Sequence, residues 1–340
     1  MKMICRFFGL VLLTIVAVPG GTQTLPPHDV RLSVPGPGSS VSLPLELASR
    51  LGLDTAQGLK LRLKFVGGGG VALQDLDSGN VDFSVLGLPA AMLAYQKNRQ
   101  LAVLAAVENT SVWVLLARQG LQGRVKNVAD LKGMTIGTHS SSLLAKTTGD
   151  VITRLVLSRH GVEQDHVRVT SAGQNWESQS AALLSKSVDA VMSDEPLASR
   201  LIEEKLAFPI FNSANAADTR STPGLGFLRA TLIGRRDKMD ADSQTTTRLV
   251  KVIQTVLAKM HSSSAEQIAD WMNLAEGKPR DTFIAIWKKY PNQYSFDAKF
   301  SNVQLRETEL FVRESEPDNA AIQGLNLNDM VIDKWAGRKP

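Results

Sequence analysis

The residues of this chain best suited to chemistry are a run of four glycines, Gly67–Gly70, a hydroxyl-rich loop, His139-Ser140-Ser141-Ser142, and an acidic cluster, Ser193-Asp194-Glu195. The glycine run follows the apolar segment Leu59–Val66 and precedes Val71–Asp77, which reads as a short helix. The first N–H groups of a helix lack intrahelical partners and lie at the positive end of its dipole, and glycines let a ligand approach them. A strand, a bare loop and a helix start in that order would cradle an anion or a polar group. The spacing fits neither a P-loop, for want of a following Gly-Lys-Ser/Thr, nor the G-x-G-x-x-G phasing of a dinucleotide site. A flexible turn at a strand end explains the glycines equally well.

The individual candidates carry paired readings. Ser39 and Ser40 follow the first predicted strand, where they could bond ligand oxygens or cap a helix. Gly69 and Gly70 would keep a helix start open to ligand, and Gly87 and Leu88 end another strand. In the second half His139, Ser140 and Ser141 stand just ahead of a predicted helix, as imidazole and hydroxyl donors or as caps. Asn175 and Trp176 could meet a planar solute, or Trp176 could belong to the core. Ser193 and Asp194, with Glu195, either face ligand or cap the helix opened by Pro196. If they face ligand, the solute needs an amine or ring N–H to offset repulsion. His160 and His166 have no acidic or thiol company, so no metal site is expected, and no cofactor.

The elements that must position these residues alternate in type. Val30–Val34, Leu59–Val66, Val81–Val85 and Leu101–Val107 read as strands, with helices over Ser42–Leu51 and Pro89–Tyr95. The pattern returns with strands Met134–Gly137, Val167–Thr170 and Val188–Met192 and helices Leu143–Arg159, Glu177–Leu184 and Pro196–Glu204. This is βαβ grammar and predicts an α/β fold with mostly parallel sheets flanked by helices. Ser78-Gly79-Asn80-Val81-Asp82 and Ser185-Lys186-Ser187-Val188-Asp189 each precede a strand, and each Asp stands seven residues before a helix-opening proline, Pro89 or Pro196. We read a tandem unit, one copy per lobe. On that offset Gly67–Gly70 aligns with Gln174-Asn175-Trp176-Glu177, so loops at carboxyl strand ends of both lobes would bound one cleft. The apolar run Gly226–Gly234 and the helical segments Ser243–Met260 and Ala265–Leu274 would return the chain to the first lobe.

Composition narrows the class. With 340 residues, 43% hydrophobic and 21% charged, the chain can build two cores. Lys2 and Arg6, the apolar block Phe7–Val18 and Pro19-Gly20-Gly21 follow the order of a secretory signal, predicting a signal peptide over residues 1–22 and a periplasmic location. The only cysteine, Cys5, precedes the apolar block, so it cannot be a lipoprotein anchor, and the mature chain would have no disulfide or thiolate site. The net charge of +5 is not gathered into a basic cluster, which argues against a nucleic-acid partner.

Four segments carry a family resemblance: Gly67–Gly70 with Ala72-Leu73-Gln74-Asp75-Leu76, Ser78-Gly79-Asn80-Val81-Asp82-Phe83, Val128-Ala129-Asp130-Leu131-Lys132-Gly133, and Val188-Asp189-Ala190-Val191-Met192 with Glu195-Pro196. Together they resemble the solute-binding proteins of ABC importers, in the nitrate, sulfonate, taurine and thiamine-precursor group. The resemblance implies a two-lobed periplasmic-binding-protein fold of type II, with two crossover strands as hinge and a small-molecule solute held between lobes that close over it. The expected lobes are 28–112 with 226–340, and 113–225. The expected partners are a small polar or anionic organic solute and an inner-membrane ABC permease with its ATPase, the protein itself being a monomer and not an enzyme. A solute-sensing receptor would share the fold. A related pyrimidine synthase would need a cysteine-rich metal segment that this chain lacks, and there is no G-x-S-x-G elbow of a hydrolase. The stretch after Leu274 is longer than the resemblance implies.

Overall fold

Among the described residues of the computed structural model (27–37, 39–140, 147–215, 217–218, 222 and 224–339), the apolar runs form ten strands in two five-stranded sheets. The strands are β1 (His28–Pro35), β2 (Leu59–Val66), β3 (Phe83–Gly87), β4 (Leu101–Glu108), β5 (Trp113–Arg118), β6 (Thr135–Thr138), β7 (Arg168–Ser171), β8 (Ala190–Asp194), β9 (Ala207–Asn212) and β10 (Ala230–Arg235). The helices are α1 (Leu43–Arg50), α2 (Gly69–Asp77), α3 (Leu88–Tyr95), α4 (Thr148–Arg159), α5 (Trp176–Leu184), α6 (Leu197–Glu203), α7 (Arg236–Ala241), α8 (Ser243–His261), α9 (Ala265–Trp271), α10 (Lys278–Lys289), α11 (Asn302–Ser315) and α12 (Ala320–Gln323). The signal-peptide expectation, with Cys5, and Ser141 lie outside the described residues. No described helix is long and apolar enough to cross a membrane.

The two sheets repeat one plan. The first has the order β2-β1-β3-β10-β4 and the second β7-β6-β8-β5-β9. In each, the first three strands are parallel, and the fourth runs antiparallel to both its neighbours. That antiparallel strand is in each case the one arriving from the other sheet: β5 follows β4, and β10 follows β9. The chain therefore crosses between the sheets twice, making the two-lobed fold that the resemblance implies.

The tandem motif has a structural job. Both strands after it begin two residues later than the periodicity predicts, at Phe83 and Ala190, because the Val-Asp pair is a loop. Asp82 accepts the Arg31 N–H at the side of β1 (2.9 Å), and Asp189 accepts the Thr135 N–H at the start of β6 (3.0 Å). Each carboxylate also pairs with an arginine, Arg31 or Arg118. The repeated aspartate thus satisfies a backbone donor of the neighbouring first strand, one copy in each lobe.

Two strands, β5 and β9, have no counterpart among the strands read from the sequence. Every residue of β5 from Trp113 to Ala117 is buried, so it reads as a continuous apolar run, and β9 carries Pro209 inside a sheet-edge strand, where a missing N–H is tolerated. The stretch after Leu274 wraps the molecule. Its backbone bonds to the outer side of β4, through Ser295 to Val107, Ala298 to Ala106, and Met330 and Ile332 to Val103, covering what would be an open sheet edge. Farther along, α11 packs on α3 of the first lobe and α4 of the second, and an Arg159–Glu314 ion pair joins α4 to α11.

Candidate functional site

The parallel strands deliver their carboxyl ends to one place. Beyond β2, Gly68 adopts φ 135°, a conformation suited to glycine, and a Cβ there would lie 3.3 Å from the Gln174 amide of the other lobe. The loop and its aligned counterpart therefore meet in space. Gly68 is the N-cap of α2 and no side chain caps that end, so the first-turn N–H groups there have no side-chain acceptor. Gly87 is likewise the N-cap of α3, whose Leu88 N–H donates to the Arg229 carbonyl (3.0 Å). In the second lobe Thr147 caps α4, its hydroxyl accepting the Asp150 N–H (3.1 Å) and donating to the His139 carbonyl (3.2 Å). Gly69, Gly87 and Thr147–Gly149 all line one chamber of about 20 Å³ between the lobes. Three helix N-termini converge there, an arrangement that favours anions and polar acceptors.

A buried charge cluster faces the same chamber. Asp194, at the end of β8, lies 3.0 Å from His139 Nε2 and 3.4 Å from the Arg229 guanidinium. Trp113 braces both bases: the His139 ring meets it edge-on at 5.3 Å, and Arg229 Cζ lies 4.7 Å from its centroid. The His139–Asp194 contact has ion-pair distance without hydrogen-bond alignment, and both imidazole nitrogens, Arg229 Nε and the Thr148 hydroxyl have no aligned partner. Burial pushes the Asp194 carboxyl up, but the charges of His139 and Arg229 outweigh it and hold the group below its ordinary range. The cluster thus keeps its carboxylate ionised and leaves spare donors.

Behind it sits a second carboxylate. Glu108, fully buried at the end of β4, accepts from Gln293 Nε2 (2.9 Å). Burial pushes it up to about 7 from 4.5, Asp194 adds to this, and Arg229, Gln293 and the Ser40 hydroxyl act against it. That hydroxyl is close enough to favour the ionised form but makes no aligned hydrogen bond. The folded state therefore holds this proton more tightly than the unfolded chain, so the stability tied to Glu108 is whole below about pH 4.5 and is lost as pH rises to about 7. Glu108→Gln, which keeps the shape, should gain on the wild type by on the order of 3 kcal/mol between pH 4.5 and pH 8. Urea denaturation at the two pH values measures it, and a constant gap between the proteins overturns it.

The remaining sequence candidates divide. Ser39 lines the chamber, and its hydroxyl accepts the Ser42 N–H (3.2 Å), so it serves as a local cap as well as a wall. Ser40 is buried beside Glu108, with its carbonyl accepting the Tyr294 hydroxyl (2.9 Å). Gly70, Leu88, Ser140 and Ser193 are buried and do not line the chamber. Asn175 caps α5, its Oδ1 accepting the Ser178 N–H (2.9 Å). The acidic pair is split: Glu195 binds the Ser199 N–H (3.0 Å) and hydroxyl (2.9 Å) within α6, whereas Asp194 faces the cleft. Sequence reasoning missed Arg229 and Thr148. A signal existed for the first, since Arg229 is the one charged residue in Gly226–Gly234.

A larger chamber of about 280 Å³ adjoins the first, sharing Ser39, Gln174 and Asp194 with it and lined further by Ser40, Asn175, Trp176, Glu177, Glu195, Arg200 and residues of α10. Among the described residues no group of three His, Cys, Asp or Glu side chains could hold a metal ion.

Comparison with known proteins gives this geometry a setting. A Brucella abortus (strain 2308) protein, provisionally named a binding protein, is 25% identical over 224 residues, 66% of this chain and 64% of its own length. The chain thus spans slightly less than two thirds of that curated relative. A structure from Bordetella bronchiseptica RB50 superposes with a TM-score of 0.80 at 19% identity, covering 91% of this chain and 96% of the other. The alkanesulfonate-binding protein SsuA of Xanthomonas axonopodis pv. citri, bound to MOPS, gives 0.66 at 15% identity, covering 91% and 99%. The periplasmic nitrate-binding protein NrtA of Synechocystis PCC 6803 gives 0.66 at 11% identity, covering 90% and 92%. At these identities the likeness is one of fold. The profile of the NMT1/THI5-like family, in contrast, matches the sequence itself over residues 40–264, through both crossings and both walls of the cleft, and the chain belongs to that family.

Proposed function

We propose that this protein is the periplasmic substrate-binding component of an ABC importer, capturing a small polar or anionic organic solute between lobes 28–112 with 226–340 and 113–225. The observation that carries this reading is the convergence of the α2, α3 and α4 N-termini with Arg229 on one chamber between the lobes. Closure would place polar groups of the solute against first-turn N–H groups and the spare donors of His139, Arg229 and Thr148, with water excluded. Each lobe supplies part of the site, so the solute would bind the closed form better than the open one and shift the population toward it. That differential is all a carrier needs, and no covalent step is required. The closed form would then dock on a membrane permease. Family membership and the sulfonate- and nitrate-binding neighbours support the same class of ligand.

The test is thermal denaturation of the purified protein against nitrate, alkanesulfonates, taurine, bicarbonate, aromatic acids and pyrimidines. A true solute at a hundred times its Kd should stabilise by about 2.7 kcal/mol through mass action, raising Tm in a concentration-dependent way. No shift with any of them, together with turnover of a chromogenic ester, overturns the reading.

A further inference from the structure

The smaller chamber has space for about one water, so the bulk of any solute bound to this conformation must lie elsewhere. The adjoining chamber, at about 280 Å³, is nearly twice the roughly 150 Å³ that holds a benzene and suits a molecule of roughly ten non-hydrogen atoms. Its outer wall is α10, which lies beyond the residues 40–264 that match the family. Thr282 on that helix bonds Glu203 of α6 (2.5 Å), tying the wall to the second lobe.

Two observations say what would fill it. Arg200 has no carboxylate partner among the described residues, and its Nε is buried without a hydrogen bond. Its Cζ lies 3.8 Å from the Trp176 ring centroid, so the indole holds the guanidinium in place while the N–H edges stay available to an anion. Of the three carboxylates that line the chamber, Asp194 is engaged with His139 and Arg229 and Glu195 with Ser199, while Glu177 lies on the exposed first turn of α5. The lining also includes Leu197, Leu274, Pro279 and Phe283, which make part of the chamber apolar. We propose that the chamber is the specificity compartment of the protein and takes the planar apolar body of an organic anion whose charged group pairs with Arg200. This deepens the solute-binding reading above and rests on it.

The experiment is isothermal titration of the purified protein with benzenesulfonate, benzoate, methanesulfonate and nitrate, in the wild type and in Arg200→Gln, Arg200→Lys and Phe283→Ala. Thermal midpoints without probe serve as the check on folding. The two arene anions should bind at least about tenfold more tightly than methanesulfonate, from the extra apolar area buried. Arg200→Gln should weaken benzenesulfonate roughly ten- to a hundred-fold, Arg200→Lys should restore only part, lacking the planar stack, and Phe283→Ala should cost roughly tenfold. Equal affinity for nitrate or methanesulfonate and benzenesulfonate, or an unchanged affinity in Arg200→Gln, overturns the compartment and leaves solute binding standing. Failure of all four probes to bind also overturns the compartment, while a shift with another solute of the wider thermal panel would keep the carrier reading.

Discussion

Replacing Arg229 with methionine is expected to lower folding stability by about 3 kcal/mol and to abolish tight solute binding. The residue is only 4% exposed, and its side chain sits among the Asp194 carboxylate, the Trp113 face and the field of Glu108. Removing one member of a buried pair leaves the other charge in a medium that cannot solvate it, which typically costs ~3–5 kcal/mol. The lower end applies because His139 remains beside Asp194 and the lost contact is long, at 3.4 Å. Asp194 is held below its ordinary range partly by Arg229, so its stabilising contribution, present above the unfolded pKa, is lost as pH falls through the folded one. In the variant that loss should begin at higher pH. Adding Asp194→Asn should restore part of the stability, since the uncompensated charge goes with it, and should not restore binding. Urea unfolding of both single variants and the double variant gives the coupling directly. Additive effects would mean that the two side chains act independently.

The second large effect belongs to Gly87. Its φ of −61° is ordinary backbone, so a larger residue is not excluded by conformation. It is excluded by the other lobe: a Cβ at Gly87 would stand 2.0 Å from Thr148 Oγ1 and 3.1 Å from both Thr148 Cβ and Arg229 Nη1. Gly87→Val should therefore wedge the cleft open, leaving each lobe folded, with stability changed by about 1 kcal/mol or less and affinity reduced about a hundredfold. Small-angle scattering should show a larger radius of gyration that added solute no longer reduces. The compensating pair Gly87→Ala with Thr148→Gly should close again and recover most of the affinity. If Gly87→Val binds as the wild type does, Thr148 simply rotates away and the lobes do not depend on this contact.

Much of the scaffold could be read along the chain because its signals are local. The alternation of apolar strands and helices, the two Val-Asp to Pro spacings and the glycine loop each span fewer than twenty residues, and each found a counterpart in the two sheets and their helix starts. Reading failed at two strands, β5 and β9. Trp113–Arg118 shows no alternation because both of its faces are buried, and Ala207–Asn212 hides behind its proline. Among site residues, Gly69, Gly87, His139 and Asp194 line the cleft with Ser39, which also makes a local bond, while the Ser40 and Ser193 hydroxyls are buried without a hydrogen bond.

By itself, the sequence determined the α/β class, the tandem units and, to within two residues, the starts of α2 and α3, since backbone donors and hydrophobic periodicity follow from neighbouring residues alone, whereas α4 starts at Thr148 and not at the Leu143 read from the sequence. Only the tertiary structure decided which side chains carry charge into that cleft. Arg229 reaches Asp194 across 35 positions of chain, Glu108 meets Gln293 from the far C-terminal stretch, and α10 closes a chamber begun by Trp176 and Arg200. A buried charge is tolerable only beside a partner, and that partner is chosen by the packing of the two lobes, which no window along the chain contains.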